Sequence, residues 1–112
     1  MCDKAGATLT VPLKVSGAFH SPYMQASQED FNTFLKEFQF APPKIPVIAN
    51  CTARPYQASD TDIKKNLSEQ ITSPVRWTES IDYLIAQGEM EFVEVGPGMI
   101  LTGLIRRIKN GQ

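Results

Sequence analysis

The sequence predicts an α/β fold with parallel strand pairing. Short runs of apolar and β-branched residues alternate with stretches whose apolar residues recur at helical spacing. Helix-start and helix-stop signals (Ser-Pro, Pro-Pro and Gly) fall between them. The resulting order is strand, helix, strand, helix, helix, strand, helix, an interleaving that packs helices against a parallel layer.

Each element rests on particular residues. Thr8 to Val15 (TLTVPLKV) alternates β-branched and apolar residues and reads as a strand, with Pro12 marking an edge or a bend. Ser16-Gly17-Ala18-Phe19-His20 forms a loop. In Ser21-Pro22 the serine suits a helix cap and the proline suits the first helical position. Met24, Phe31, Phe34, Leu35 and Phe38 then line one apolar face, and Pro42-Pro43 stops the helix. Ile45 to Ala49 (IPVIA) is almost continuously apolar, as a buried strand should be. A polar loop over 50–59 leads to a second helix that begins near Asp60, with Ile63, Leu67 and Ile71 four residues apart. Ser73-Pro74 repeats the start signal for a third helix, whose face carries Trp77, Ile81, Leu84 and Ile85, and Gly88 ends it. Met90 to Val95 (MEFVEV) is the last strand, Gly96-Pro97-Gly98 turns the chain, and Leu101, Leu104, Ile105 and Ile108 mark a final amphipathic helix. Two or three strands make a thin sheet with long open edges, which points to a missing half.

Composition excludes several classes. A chain of 112 residues is one small domain or a piece of a larger one. The net charge is −1 and the basic residues are scattered, except for Arg106, Arg107 and Lys109, which complement the dipole at the end of a helix rather than form a nucleic-acid-binding face. No apolar run approaches the roughly 20 residues needed to span a membrane, and the first residues have no signal-peptide pattern. Cys2 and Cys51, the two cysteines, fit reduced thiols in the cytoplasm. With no CxxC and a single histidine, no metal site is expected.

That histidine, His20, is the one residue whose position suggests chemistry. It lies in a loop between a strand and a helix, where active sites of α/β proteins gather. The neighbouring helix N-terminus disfavours an imidazolium, so a neutral imidazole there suits a general base. A partner nucleophile is not evident. There is no G-x-S-x-G elbow, and the serines at 16, 21, 27, 59, 68, 73 and 80 all read as caps, loop residues or solvent-facing residues. Neither cysteine has a context that marks it as activated. Gly96-Pro97-Gly98 lacks the spacing and the lysine of a phosphate loop and reads as a structural turn. Glu91 and Glu94, three apart on a strand, face opposite sides and make a poor carboxylate pair.

Four blocks in order carry a resemblance. VSGAFHSPYM (15–24), IPVIAN with the following ARPY loop (45–56), LSEQITSPVRWTESIDYL (67–84) and FVEVGPGMILTGLIRRI (92–108) resemble the C-terminal part of malonyl-CoA:acyl-carrier-protein transacylases and of polyketide synthase acyltransferase domains. The match covers roughly residues 5 to 109. It implies an α/β-hydrolase-like large subdomain and a ferredoxin-like small subdomain, with the site between them. Residues 1–15 would then end the small subdomain and residues 16–112 would form the C-terminal part of the large one.

The resemblance also implies a mechanism. A serine in a G-H-S-x-G elbow attacks malonyl-CoA, a histidine activates it, and the malonyl ester passes to the phosphopantetheine thiol of an acyl carrier protein. His20 matches that histidine, and Gln70 matches the position whose backbone carbonyl accepts a hydrogen bond from the imidazole. Malonyl-CoA is a substrate and no cofactor is implied. The serine, the oxyanion-hole glutamine and the carboxylate-binding arginine would lie before the matched region, so the chain is expected to be a fragment, a split subunit or part of an assembly, and inactive alone. Phe19 matches the position where phenylalanine goes with malonyl rather than methylmalonyl units, and the GAFH wording leans towards polyketide rather than fatty-acid synthesis. Two other readings stay open: a hydrolase of acyl groups on carrier proteins with the same fold, and a non-catalytic structural or interaction fragment.

Overall fold

The structure, a computed structural model, describes Gly6 and residues 17–111. The expected strand over 8–15, Cys2 and the small-subdomain segment 1–15 therefore lie outside the described residues, apart from Gly6. A 3-10 turn at Pro22–Met24 leads into α1 (Gln25–Leu35), followed by α2 (Asp60–Glu69), α3 (Trp77–Ala86) and α4 (Ile100–Lys109).

The helices fall where their periodicity places them, and their ends have identifiable causes. Pro22 occupies the first helical position, but Ser21 does not cap with its side chain. Its hydroxyl donates instead to the carbonyl of Ala18, which closes the preceding loop. α1 stops at Leu35, well short of Pro42, and Phe38 lies beyond it. The Phe40 amide donates to the Asp60 carboxylate at 2.6 Å, which draws this part of the chain to the start of α2. Ser59 caps α2, its hydroxyl accepting from the Asp62 amide at 3.3 Å, and Asp60 and Asp62 sit in the positive first turn. α3 begins at Trp77, later than Ser73-Pro74 suggests, and the Arg76 amide just before it donates to the carbonyl of Asn50 at 2.9 Å. Gly88, at φ 95°, releases the chain from α3 in the left-handed conformation that glycine adopts without strain.

The strands differ from expectation. Among the described residues there is no strand ladder. Residues 45–49 make one isolated antiparallel bridge, Ile48 with Pro55, supported by the Ala49 amide on Arg54 O (2.9 Å) and the Tyr56 amide on Val47 O (2.8 Å). Residues 90–95 are not assigned to a strand. The cause is physical: a parallel strand needs a neighbour in register, and these two apolar segments do not pair with each other. Val93 is accordingly 87% exposed and Val95 94%.

The buried apolar residues among those described are Leu35, Ala49, Ala53, Ile63 and Ile81. They sit where α1 meets α2 and where the tight 49–54 loop meets the helices. Ala53 adopts φ 57° and is wholly buried, its amide bonded to Ala49 O at 2.9 Å. An open cleft of about 460 Å³ lies between α3 and α4, walled by Ile48, Trp77, Ile81, Phe92, Leu101 and Ile105. The indole N–H of Trp77 is buried there without a partner among the described residues.

Candidate active site

Two helix ends meet at His20. The residue stands in the loop that enters the Pro22–Met24 turn and α1, and its backbone takes φ 60°. Histidine is one of the few non-glycine types that visit this left-handed region with any frequency. The conformation turns the ring towards the C-terminal end of α2. There His20 Nδ1 lies 2.8 Å from the carbonyl oxygen of Gln70. A carbonyl oxygen only accepts, so Nδ1 carries the proton and Nε2 is left with a free lone pair.

Gln70 is free to accept because of its place in the helix. It is the C-cap of α2, and the last carbonyls of a helix have no amide four residues ahead to bind. Beyond it the chain tightens into shorter bonds, Ile71 N to Ser68 O and Thr72 N to Glu69 O, both 3.2 Å, which bypass Gln70 O. Gln70 thus contributes through its backbone.

Phe19, next to the histidine, is 54% exposed. Its ring lies over Gly17, at ordinary van der Waals distance from where a Cβ would stand. The cleft between α3 and α4 does not include His20, Phe19 or Gln70, so it lies apart from the candidate chemistry.

The structure also shows which rival groups are unsuited to react. Cys51 is half-buried with its Sγ 3.8 Å from Asn66 O, and burial, then the charge of Glu69, pushes its thiol above the ordinary range. Such a thiol is a poor nucleophile near neutrality. The turn over 96–98 is followed by the first amides of α4, but these are already taken by a carboxylate. Glu94 accepts from Thr102 N at 2.9 Å, from Thr102 Oγ1 at 2.7 Å and from Leu101 N at 3.3 Å. A phosphate would have to displace it. Sequence reasoning placed Glu94 on a strand without a role; its position six residues before the start of α4 was the only signal. No group of three or more metal-ligating side chains occurs among the described residues, and no helix there is long and apolar enough to cross a membrane.

Solved structures define the class: the chain follows the α/β fold of acyl-carrier-protein malonyltransferases. An acyl carrier protein S-malonyltransferase from Vibrio cholerae matches with a TM-score of 0.90 and 39% identity, over 97% of this chain and 35% of that one. A malonyl-transacylase solved in complex with a type II polyketide synthase acyl-carrier protein matches with a TM-score of 0.91 and 36% identity, over the same shares. The polyketide biosynthesis malonyl CoA-acyl carrier protein transacylase PksC of Bacillus subtilis is 55% identical over 102 residues, 91% of this chain and 35% of that protein. No family model matches the chain. The chain corresponds in sequence and fold to the C-terminal part of malonyl-CoA:acyl-carrier-protein transacylases. It spans about a third of the length of such curated relatives.

Proposed function

We propose that this chain supplies the acid–base half of malonyl transfer from malonyl-CoA to the phosphopantetheine thiol of an acyl carrier protein. The observation that carries the reading is the 2.8 Å contact between His20 Nδ1 and Gln70 O, which leaves Nε2 as a proton acceptor. The names of the relatives, malonyl CoA-acyl carrier protein transacylases, supply the substrates.

The reaction divides into two symmetrical transfers. His20 Nε2 takes the proton of a serine hydroxyl contributed from outside these residues, and the serine oxygen attacks the thioester carbonyl. Collapse of the tetrahedral adduct breaks the C–S bond, and the imidazolium returns its proton to the departing CoA thiolate. The carrier protein's thiol then gives its proton to Nε2 and attacks the malonyl ester, and the serine leaves protonated. Throughout, Gln70 O accepts from Nδ1–H, and it does so for both the neutral and the charged ring. A fixed backbone acceptor therefore holds the tautomer without itself titrating.

In this reading residues 16–112 form the C-terminal part of the α/β-hydrolase-like subdomain, and residues 1–15 end the ferredoxin-like one. No G-x-S-x-G elbow occurs in the sequence. The purified 112-residue chain should accordingly show no malonyl transfer.

The test is His20→Ala in the complete transacylase, assayed by mass spectrometry for malonyl-serine formation and for malonyl transfer to the carrier protein. The expected loss is at least about 100-fold, the lower end of general-base contributions. An unchanged rate of serine acylation removes His20 from the mechanism.

A further inference from the structure

Gln28 is the fourth residue of α1 and makes no hydrogen bond to His20 or Gln70 among the described residues. Its side-chain amide nevertheless reaches across to α2 and binds both sides of Gln70. Gln28 Nε2 donates to Ser68 Oγ at 3.0 Å, and Gln28 Oε1 accepts from Thr72 Oγ1 at 2.9 Å. Ser68 is two residues before Gln70 and Thr72 two residues after it. Ser68 is buried, and Gln28 and Thr72 are half-buried, so these bonds compete little with water.

We propose that Gln28 is the positioning residue for the His20–Gln70 pair. The inference rests on the functional reading above and names the group that holds its geometry. α1 carries His20 at its entrance and Gln28 on its body, so one helix grips the imidazole's partner from both flanks. The contacts close a ring: His20 to Gln70 O, Gln70 by its backbone to Ser68 and Thr72, both of these to Gln28, and Gln28 by α1 back to His20. The end of a helix is its least constrained turn, and the carbonyl at stake there has no intrahelical partner. α1 packs on α2, but among the described residues the polar ties from α1 and its entrance to the 68–72 turn are this clamp and the 2.8 Å bond from His20. Misplacement of a catalytic group by about 1 Å can cost on the order of 100-fold in rate.

The test uses two readouts. The first is the tautomer of His20, read from the imidazole nitrogen chemical shifts of the 112-residue chain, in which it is the only histidine. The unmodified chain should show the Nδ1–H form. Gln28→Leu, which keeps volume and helix propensity but removes both bonds, should move the ring towards the Nε2–H form that a free histidine side chain prefers.

The second readout is kinetic, in the complete transacylase. Gln28→Leu should lower kcat by about 10- to 100-fold with KM for malonyl-CoA unchanged, because the reacting group and not the binding site is displaced. Gln28→Glu should recover much of both losses, since a carboxylate can accept from the two hydroxyls. Circular dichroism reports folding; if Gln28→Leu loses helix, Thr72→Val and Ser68→Ala, each removing one bond, are read in its place. A tautomer and a kcat untouched by these variants overturn the inference while His20→Ala still abolishes transfer. A rate untouched by His20→Ala overturns the functional reading instead.

Discussion

Glu94 and Thr102 are joined twice: one carboxylate oxygen accepts both the amide, at 2.9 Å, and the hydroxyl, at 2.7 Å. Glu94 thereby acts as a remote cap for α4, whose own N-cap, Met99, offers no side-chain bond. The Thr102 amide first, and then its hydroxyl, hold the Glu94 carboxyl below its ordinary value. A depressed carboxyl contributes stability that is full above the unfolded value, about 4.3, and is lost as the pH falls through the folded one. Glu94→Gln should therefore lower the Tm and the protection of the Leu101 and Thr102 amides at neutral pH. The difference from the unmodified chain should shrink as the pH is taken below about 4.3. A difference that persists unchanged in acid would assign the effect to shape rather than to charge.

Asp60 holds the chain at Phe40 to the start of α2 and also pairs with Lys64 at 3.0 Å. Its carboxyl is depressed chiefly by the Phe40 amide and secondly by Lys64. An exposed ion pair contributes little, whereas the amide bond ties two segments together. Asp60→Asn, which keeps an acceptor for the Phe40 amide, should behave nearly as the unmodified chain at neutral pH. Asp60→Ala should expose the Phe40 amide to rapid hydrogen exchange. Equal exchange in the two variants would move the importance to the ion pair.

Leu35 is a buried residue of α1, at the seam with α2. Leu35→Ala removes buried methyl groups and leaves a cavity, a change that costs about 2–5 kcal/mol. So small a core has little to spare, and the midpoint of urea denaturation should fall with the slope unchanged. Phe34→Ala, at a half-exposed ring tilted against Phe38 with centroids 4.9 Å apart, should cost distinctly less. The reverse ranking would place the core elsewhere.

Phe19 adjoins the imidazole in sequence, and its exposed ring has room to shape a pocket completed from outside these residues. In the complete transacylase, Phe19→Ser should raise relative use of methylmalonyl-CoA. The shift in the ratio of specificity constants should be about 10- to 200-fold, the scale of one methyl in a pocket. Both thioesters should be supplied together, so that overall loss of activity cancels. An unchanged preference for malonyl makes Phe19 a packing residue.

Local signals were legible where local physics decides. The periodicity at Ile63 and Leu67, and again from Leu101 to Ile108, placed α2 and α4, and Gly88 marked a real end. The start of α3 was placed too early from Ser73-Pro74, and the bond from the Arg76 amide to Asn50 O, which ties the segment before the helix to the 49–54 loop, has no local signature. Strand pairing was illegible for a deeper reason. IPVIA and MEFVEV have strand composition, but a strand exists only through its neighbour, and composition does not name the neighbour. At the candidate site, His20 stood out by type and loop position, while the bond from Gln28 to Ser68 joins residues 40 apart and has no local signature.

The bare valines at 93 and 95 also set how the chain should be handled. An apolar run of strand-like composition that has no ladder partner among the described residues is a template for a second copy of itself, and the charges of Glu91 and Glu94 are the gatekeepers within it. The bonds from Glu94 to Leu101 and Thr102 tie this run to the start of α4, so loosening the helix frees the run to pair. Colloidal behaviour and fold are thereby coupled: conditions that loosen α4 should bring on concentration-dependent fibrous association before the remaining helices melt.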